Sequence, residues 1–169
     1  SGKWHLGDSL HAHAGYSYWY AMPQGGSTYN DAEMIWQGEV IKTEGYITDR
    51  ITDRAVEFLE ANRGRPFFLN VEYNAPHTPL IGHPKELVEL FGKTPFDSIP
   101  KVPINPWASS LLDHFGKRDK LEQYFAACSG IDRGVGRILD QLEKLGLTGR
   151  TLVVFTSDQG FCTGHHGVW

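Results

Sequence analysis

The sequence has few cysteines, no long run of basic residues and no long run of apolar residues. Only two cysteines, Cys128 and Cys162, occur among 169 residues, too few for a disulfide framework. Sixteen Lys and Arg stand against 20 Asp and Glu, and no basic run is longer than Lys117-Arg118, so the charge pattern of a nucleic-acid-binding protein is missing. The longest apolar runs, such as 152–155, are far shorter than the roughly 20 residues that span a bilayer. We therefore expect no nucleic-acid partner and no membrane span.

Composition also excludes disordered and collagen-like chains. Hydrophobic residues make up 40% and charged residues 21%, and 19 Gly with 9 Pro lie below the range that signals low complexity. A chain of this length is typical of one folded domain with a hydrophobic core.

Apolar residues at helical spacing predict two long helices. The first covers Tyr46 to Arg63, and the second covers Arg118 to Leu145 and ends at Gly146. Glycines inside the second helix suggest close packing against a neighbour. A short helix is predicted at Pro84 to Phe91, and the first thirty residues are predicted to be mostly loop.

Two short apolar runs, 66–73 and 151–156, predict buried strands. Strands separated by helices indicate an α/β fold with a mostly parallel sheet flanked by helices. Ligands bind beyond the carboxyl ends of such strands, where His77 and Asp158 follow the two runs. We therefore expect both residues at one edge of the sheet.

Asp158 and Gln159 offer a carboxylate and an amide oxygen, which are ligands suited to Ca²⁺ or Mg²⁺. Alternatively, Asp158 caps a helix or forms an Asx turn. Two ligands are too few on their own, because Ca²⁺ takes six to eight oxygens.

The other candidate site residues are histidines and one lysine. His77 lies between prolines, a rigid position suited to acid or base catalysis, although a lone histidine in a turn is often only a surface residue. Lys3 and His5 could contact an anionic group or simply face solvent. His165 and His166 could bind a transition metal such as zinc, although two adjacent imidazoles rarely point at one ion, and they are also candidate substrate-binding residues.

Taken together, the motifs resemble those of the sulfatases, and the resemblance spans essentially the whole chain. The segments that carry it, in chain order, are 2–7 (GKWHLG), 66–69 (PFFL) leading to 75–79 (APHTP), 132–139 (DRGVGRIL), 156–160 (TSDQG) and 164–167 (GHHG).

The resemblance implies an alkaline-phosphatase-like α/β fold and hydrolysis of sulfate esters. In that family a hydrated formylglycine attacks sulfur, and Ca²⁺, rather than Mg²⁺, activates the attacking oxygen and polarises the sulfate. Carried over, Asp158 and Gln159 would be metal ligands and Lys3 would hold sulfate oxygens. His5 would contact the formylglycine, and His77 would protonate the leaving alcohol.

The sequence departs from the family pattern at the nucleophile. No Cys-x-Pro-x-Arg motif occurs, and the N-terminal aspartate pair of the family is also absent. We therefore expect residues 1–169 to be the central part of a sulfatase catalytic domain, inactive alone, with the formylglycine outside the chain. A phosphonate or phosphodiester hydrolase of the same superfamily, or a non-catalytic binding fragment, remains an alternative.

Aromatic residues bear on the substrate. The cluster at 16–20, with Trp4 and Trp107, could stack on sugar rings or could pack a loop against the core. We favour a sulfated carbohydrate as the substrate, with a small-molecule sulfate ester as the alternative. Family resemblance suggests a periplasmic or secreted location; the oligomeric state stays open.

Overall fold

The computed structural model describes residues 1–13 and 15–169. Within them, strands β1 (Tyr20–Ala21), β2 (Glu33–Trp36) and β3 (Glu39–Lys42) precede helices α1 (Ile47–Asn62), α2 (Lys85–Glu89) and α3 (Arg118–Lys144). Short 3₁₀ turns cover Leu112–His114, Thr148–Arg150 and His165–Gly167.

The helix predictions are confirmed to within one or two residues at α1 and α3, and α2 lies inside its predicted range. Helix α3 stops where the sequence indicates. Gly146 adopts a left-handed φ of 66°, and the amide of Leu147 donates to the carbonyl of Leu142 at 2.8 Å. This geometry satisfies carbonyls that the last helical turn leaves free.

Helices α1 and α3 pack against each other, and two ion pairs link their flanks. The Arg133 guanidinium donates to the Asp49 carboxylate at 2.9 Å, and Arg137 donates to Asp53 at 2.5 Å. Gly134 brings α3 close to its neighbours, as the sequence suggested. A Cβ there would lie 2.6 Å from the Thr52 Oγ1 atom.

The three strands form one antiparallel sheet in the order β1-β2-β3. Strands β2 and β3 form a hairpin in which Glu33 faces Lys42 and Trp36 faces Glu39. Its two-residue turn, Gln37-Gly38, has positive φ at both positions, the conformation that matches the twist of a hairpin. This sheet was not predicted, because its strands are short and β1 falls in the stretch assigned to loop.

Parallel pairing occurs where the chain begins. The amide of Gly2 donates to the Tyr20 carbonyl at 2.7 Å, and the amide of Lys3 donates to the Glu72 carbonyl at 2.7 Å. Gly2 therefore makes parallel bridges to Ala21 on one side and to Glu72 on the other. A Cβ at Gly2 would lie 1.9 Å from the Glu72 oxygen, so only glycine fits here.

The two predicted buried strands require correction. Of 66–73, only 70–72 pairs with another segment, residues 1–3, and Phe68 is 75% exposed. The run 151–156 forms no strand within the described residues, and Leu152 is 89% exposed. Both runs have strand-like composition, but a strand needs neighbouring backbone to pair with, and no described segment lies beside 151–156. The predominance of parallel pairing is likewise not seen, since the named strands are antiparallel.

The largest core cluster connects the sheet to the helices. Its fully buried members include Met22, Met34 and Ile47, together with Tyr20 and Tyr29. Both cysteines are free, so no disulfide contributes to this core. Across the described residues, no helix is both long and apolar enough to cross a membrane.

Candidate functional site

Lys3 and His77 belong to adjacent backbone segments. Lys3 pairs with Glu72 through its amide, and the chain continues from Glu72 through a turn to His77. Lys3 is half-buried, whereas the imidazole of His77 is exposed. His77 therefore follows a segment with parallel pairing at Glu72. The expectation that His77 and Asp158 share one edge of a sheet stays a prediction, because 151–156 forms no strand within the described residues.

His5 follows Lys3 and is also exposed. Its ring lies directly on the backbone of Gly25, where a Cβ would come within 2.2 Å of ring atoms. The His5 imidazole can occupy this position because Gly25 has no side chain. The described contacts do not join the His5 ring to Lys3 or to His77.

The His77 turn fixes the tautomer of the imidazole. Its Nδ1 atom lies 2.8 Å from the carbonyl oxygen of Thr78. A carbonyl oxygen only accepts hydrogen bonds, so Nδ1 carries the proton of the neutral ring. Nε2 is then the ring nitrogen that the described hydrogen bonds leave available to face a substrate oxygen, which is the geometry required of a general acid.

The main chain of His77 is held at both polar groups. Its amide donates to the Asn74 carbonyl at 2.9 Å, and its carbonyl accepts a hydrogen bond from the Tyr29 hydroxyl at 2.6 Å. Tyr29 is 2% exposed and lies in the main core cluster. An exposed candidate acid is therefore anchored to the core through one tyrosine.

A buried histidine supports that tyrosine. The ring centroids of Tyr29 and His83 lie 4.1 Å apart, and the Tyr46 hydroxyl lies 2.9 Å from the Nδ1 atom of His83. Burial lowers the pKa of His83 to about 4, so the ring is neutral near pH 7. Burial also raises the pKa of Tyr46 to about 12, so its hydroxyl stays protonated.

Asp158 and Gln159 are exposed, beyond the run 151–156. The Ser157 hydroxyl contacts the Gln159 carbonyl, and no described hydrogen bond joins this turn to Lys3, His5 or His77. Among the described residues there is no group of three or more His, Cys, Asp or Glu that could hold a metal ion. The two side chains suit Ca²⁺ in their chemistry, but they supply only two of the ligands it needs.

His165 and His166 lie on the 3₁₀ turn His165–Gly167, and both are exposed. The turn is tied to a distant loop, because the amide of Asn105 donates to the Gly167 carbonyl at 2.8 Å. His166 adopts a left-handed φ of 58°. The described contacts do not bring these imidazoles to His77.

The aromatic cluster near the chain start packs largely on itself. Trp19 is buried, its indole donates to the Ser9 carbonyl at 2.7 Å, and the Trp4 ring meets it edge-on at 5.2 Å. These contacts favour the packing alternative for 16–20. Trp107, by contrast, is 90% exposed and free to meet a ligand.

Sequence reasoning missed Tyr29 and His83. Neither belongs to a motif, and each acts through contacts with residues far away in the chain. The only local signal was a large aromatic residue inside the Gly- and Ser-rich stretch 25–30, which favoured a loop assignment.

Comparison with known proteins identifies the family. The Sulfatase family model matches residues 1–168. The chain belongs to the sulfatase family. Human iduronate 2-sulfatase is 34% identical over 155 residues, which cover 75% of this chain and 28% of that protein. N-acetylglucosamine-6-O-sulfatase of Bacteroides thetaiotaomicron is 27% identical, covering 98% of this chain and 42% of its own length.

A solved structure agrees with the α/β fold class. It is a complex of BT4656 with D-glucosamine-2-N,6-O-disulfate as its substrate, and it matches 99% of this sulfatase chain with a TM-score of 0.81 at 23% identity. The match covers 48% of that protein. The sulfatase chain thus spans less than half the length of each of these relatives.

Proposed function

We propose that the full-length gene product is a sulfuric ester hydrolase acting on a sulfated carbohydrate. The observation that supports the proposal is the backbone pairing of Lys3 with Glu72, on the segment that leads into the His77 turn. The substrate class is supported by the names of the relatives, which act on sulfated sugars, and by the sugar disulfate bound in the matched structure.

Lys3 and His77 take different parts of the reaction. The Lys3 ammonium neutralises sulfate oxygens, whose charge must be stabilised as the ester reacts. As the bond between sulfur and the sugar oxygen breaks, that oxygen takes the proton from Nε2 of His77. Overall, the ester and water give the free sugar hydroxyl and inorganic sulfate. His5, beside Lys3, contacts the attacking group and assists its regeneration.

Asp158 and Gln159 would hold Ca²⁺ together with further oxygen ligands. When bound, the ion polarises the sulfate. The attacking group would be a formylglycine, for which residues 1–169 contain no Cys-x-Pro-x-Arg motif. His165 and His166 contribute contacts to the sugar, for which their exposed rings are suited.

The experiment compares ester classes with the full-length gene product. We expect release of inorganic sulfate from sulfated monosaccharides, and far slower cleavage of a phosphodiester such as bis(4-nitrophenyl) phosphate. Lys3→Ala should slow sulfate release by roughly 10²- to 10³-fold, the size typical of losing one charge-stabilising group. Lys85→Ala is the matched control, since that side chain is 87% exposed on α2.

Preferential cleavage of the phosphodiester would instead identify a phosphodiesterase of the same superfamily. No turnover of either ester by a purified, folded, Ca²⁺-supplied protein would favour a non-catalytic binding role.

A further inference from the structure

One long-range hydrogen bond joins the core of this sulfatase chain to the backbone of its candidate acid, His77. Tyr29 comes 48 residues before His77 in the chain, yet its hydroxyl donates to the His77 carbonyl at 2.6 Å. That carbonyl belongs to the same residue as the exposed imidazole. A shift of the main chain at this point therefore moves the imidazole directly.

Tyr29 itself has little freedom to move. It is 2% exposed, its ring contacts the His83 ring with centroids 4.1 Å apart, and the Tyr46 ring lies 5.9 Å away with its plane inclined by 27°. The hydroxyl of Tyr46 is in turn paired with His83. Close packing of this kind fixes the side-chain rotamer and so the position of the hydroxyl.

Apart from the bond to Tyr29, the turn contacts the core through apolar residues, since Ala75 belongs to the main core cluster and Leu80 is 2% exposed. His77 and Pro79 are exposed, and the Nδ1 contact of His77 goes to the adjacent residue, Thr78. Asn74 is buried, but its side-chain amide has no hydrogen-bond partner in the structure, so it adds no polar anchor. The Tyr29 hydroxyl is thus a long-range polar anchor of the turn.

We propose that Tyr29 is a positioning residue that sets the location of the His77 imidazole relative to the leaving oxygen. The inference rests on the proposed function only where it speaks of proton transfer, because anchoring of the turn is measurable without turnover. General-acid catalysis depends steeply on geometry, so a loosened turn should penalise the substrates that need the proton most.

The test uses Tyr29→Phe in the full-length gene product, which removes the hydroxyl and keeps the ring. Tyr20→Phe is the matched control, because Tyr20 is equally buried in the same core cluster and its hydroxyl lies 3.2 Å from Thr43 instead. The first readout is hydrogen exchange of the peptide covering 74–83. We expect roughly fivefold faster exchange in Tyr29→Phe, the size expected for one lost buried hydrogen bond, and no change in Tyr20→Phe.

The second readout is the ratio of rates for a sugar sulfate and 4-nitrophenyl sulfate. We expect Tyr29→Phe to lower that ratio roughly three- to tenfold, with Tyr20→Phe leaving it unchanged. Unchanged exchange at 74–83 would overturn the proposal. The proposal would also be overturned if Tyr29→Phe speeds exchange but leaves the rate ratio unchanged, while His77→Ala does change that ratio. If His77→Ala also leaves the ratio unchanged, the acid role of His77 fails, while faster exchange still supports anchoring by Tyr29.

Discussion

The Tyr73 hydroxyl lies against α3 at Gly134, one of the glycines of that helix. A Cβ on Gly134 would lie 2.6 Å from the Tyr73 hydroxyl oxygen and equally close to the Thr52 hydroxyl oxygen. Those two hydroxyls are hydrogen-bonded to each other at 2.8 Å. Because Gly134 has no side chain, the hydrogen-bonded hydroxyls of Thr52, on α1, and Tyr73 both contact α3. Tyr73 belongs to the segment that leads to the candidate acid, His77.

Gly134→Ala should therefore destabilise the fold even though alanine favours a helix. The gain in helix propensity is about 1 kcal/mol, whereas overpacking costs about 1–3 kcal/mol and the Thr52–Tyr73 pair must also separate. Gly136→Ala is the matched control, since a Cβ there meets nothing within 4 Å. Chemical denaturation should show a lower free energy of unfolding for Gly134→Ala and an equal or higher one for Gly136→Ala. Equal effects of the two substitutions would contradict the packing described.

His83 should make stability depend on pH. Burial lowers its pKa to about 4 from an ordinary value of 6.5, so the folded state binds fewer protons than the unfolded state between these values. The free energy of unfolding should therefore fall as pH drops from 6.5 towards 4, by roughly 3 kcal/mol in total from this group.

The measurement compares wild type with His83→Gln in urea at pH 7.5 and pH 5. Other acid-sensitive groups act on both proteins, so they cancel in the difference. We expect the wild type to lose more stability on acidification than the variant. The same loss in both proteins would show that the buried imidazole does not resist protonation.

The sequence predicted those parts of the molecule that local periodicity determines. Helices α1 and α3 have apolar faces that repeat every three or four residues, so their limits followed from the chain alone. The run 151–156 has the composition of a strand, but pairing depends on neighbouring backbone, which composition does not show. The hairpin of β2 and β3 was missed because short strands carry a weak alternating pattern.

The same difference between local motifs and long-range contacts separates the site residues that were predicted from those that were not. Lys3 and His77 were predicted because they belong to motifs, and their catalytic roles stay predictions; the structure adds that Lys3 pairs with Glu72, on the segment that leads to His77. Tyr29 was not found, because its role depends on one hydrogen bond to a residue far along the chain. Whether Asp158 and Gln159 join that site is still a prediction, since no described contact connects them to it.

The metal and acid roles predict different kinetic signatures in the full-length gene product. Asp158→Ala should slow a sugar sulfate and 4-nitrophenyl sulfate by similar factors, because a bound metal ion polarises the sulfate whatever group leaves. A lower rate on the sugar sulfate alone, with the rate on 4-nitrophenyl sulfate unchanged, would contradict a role for Asp158 in holding the metal.

The central claim, that His77 is the general acid of a sulfatase, is tested most directly by the rates of His77→Ala on those two substrates. The sugar alkoxide needs a proton to leave, so its rate should fall by roughly 10²- to 10⁴-fold, while nitrophenolate needs none and its rate should hardly change. His11→Ala, at an imidazole 76% exposed near the chain start, should leave both rates unchanged. An equal loss on both substrates in His77→Ala would contradict the account and indicate that His77 binds sulfate instead.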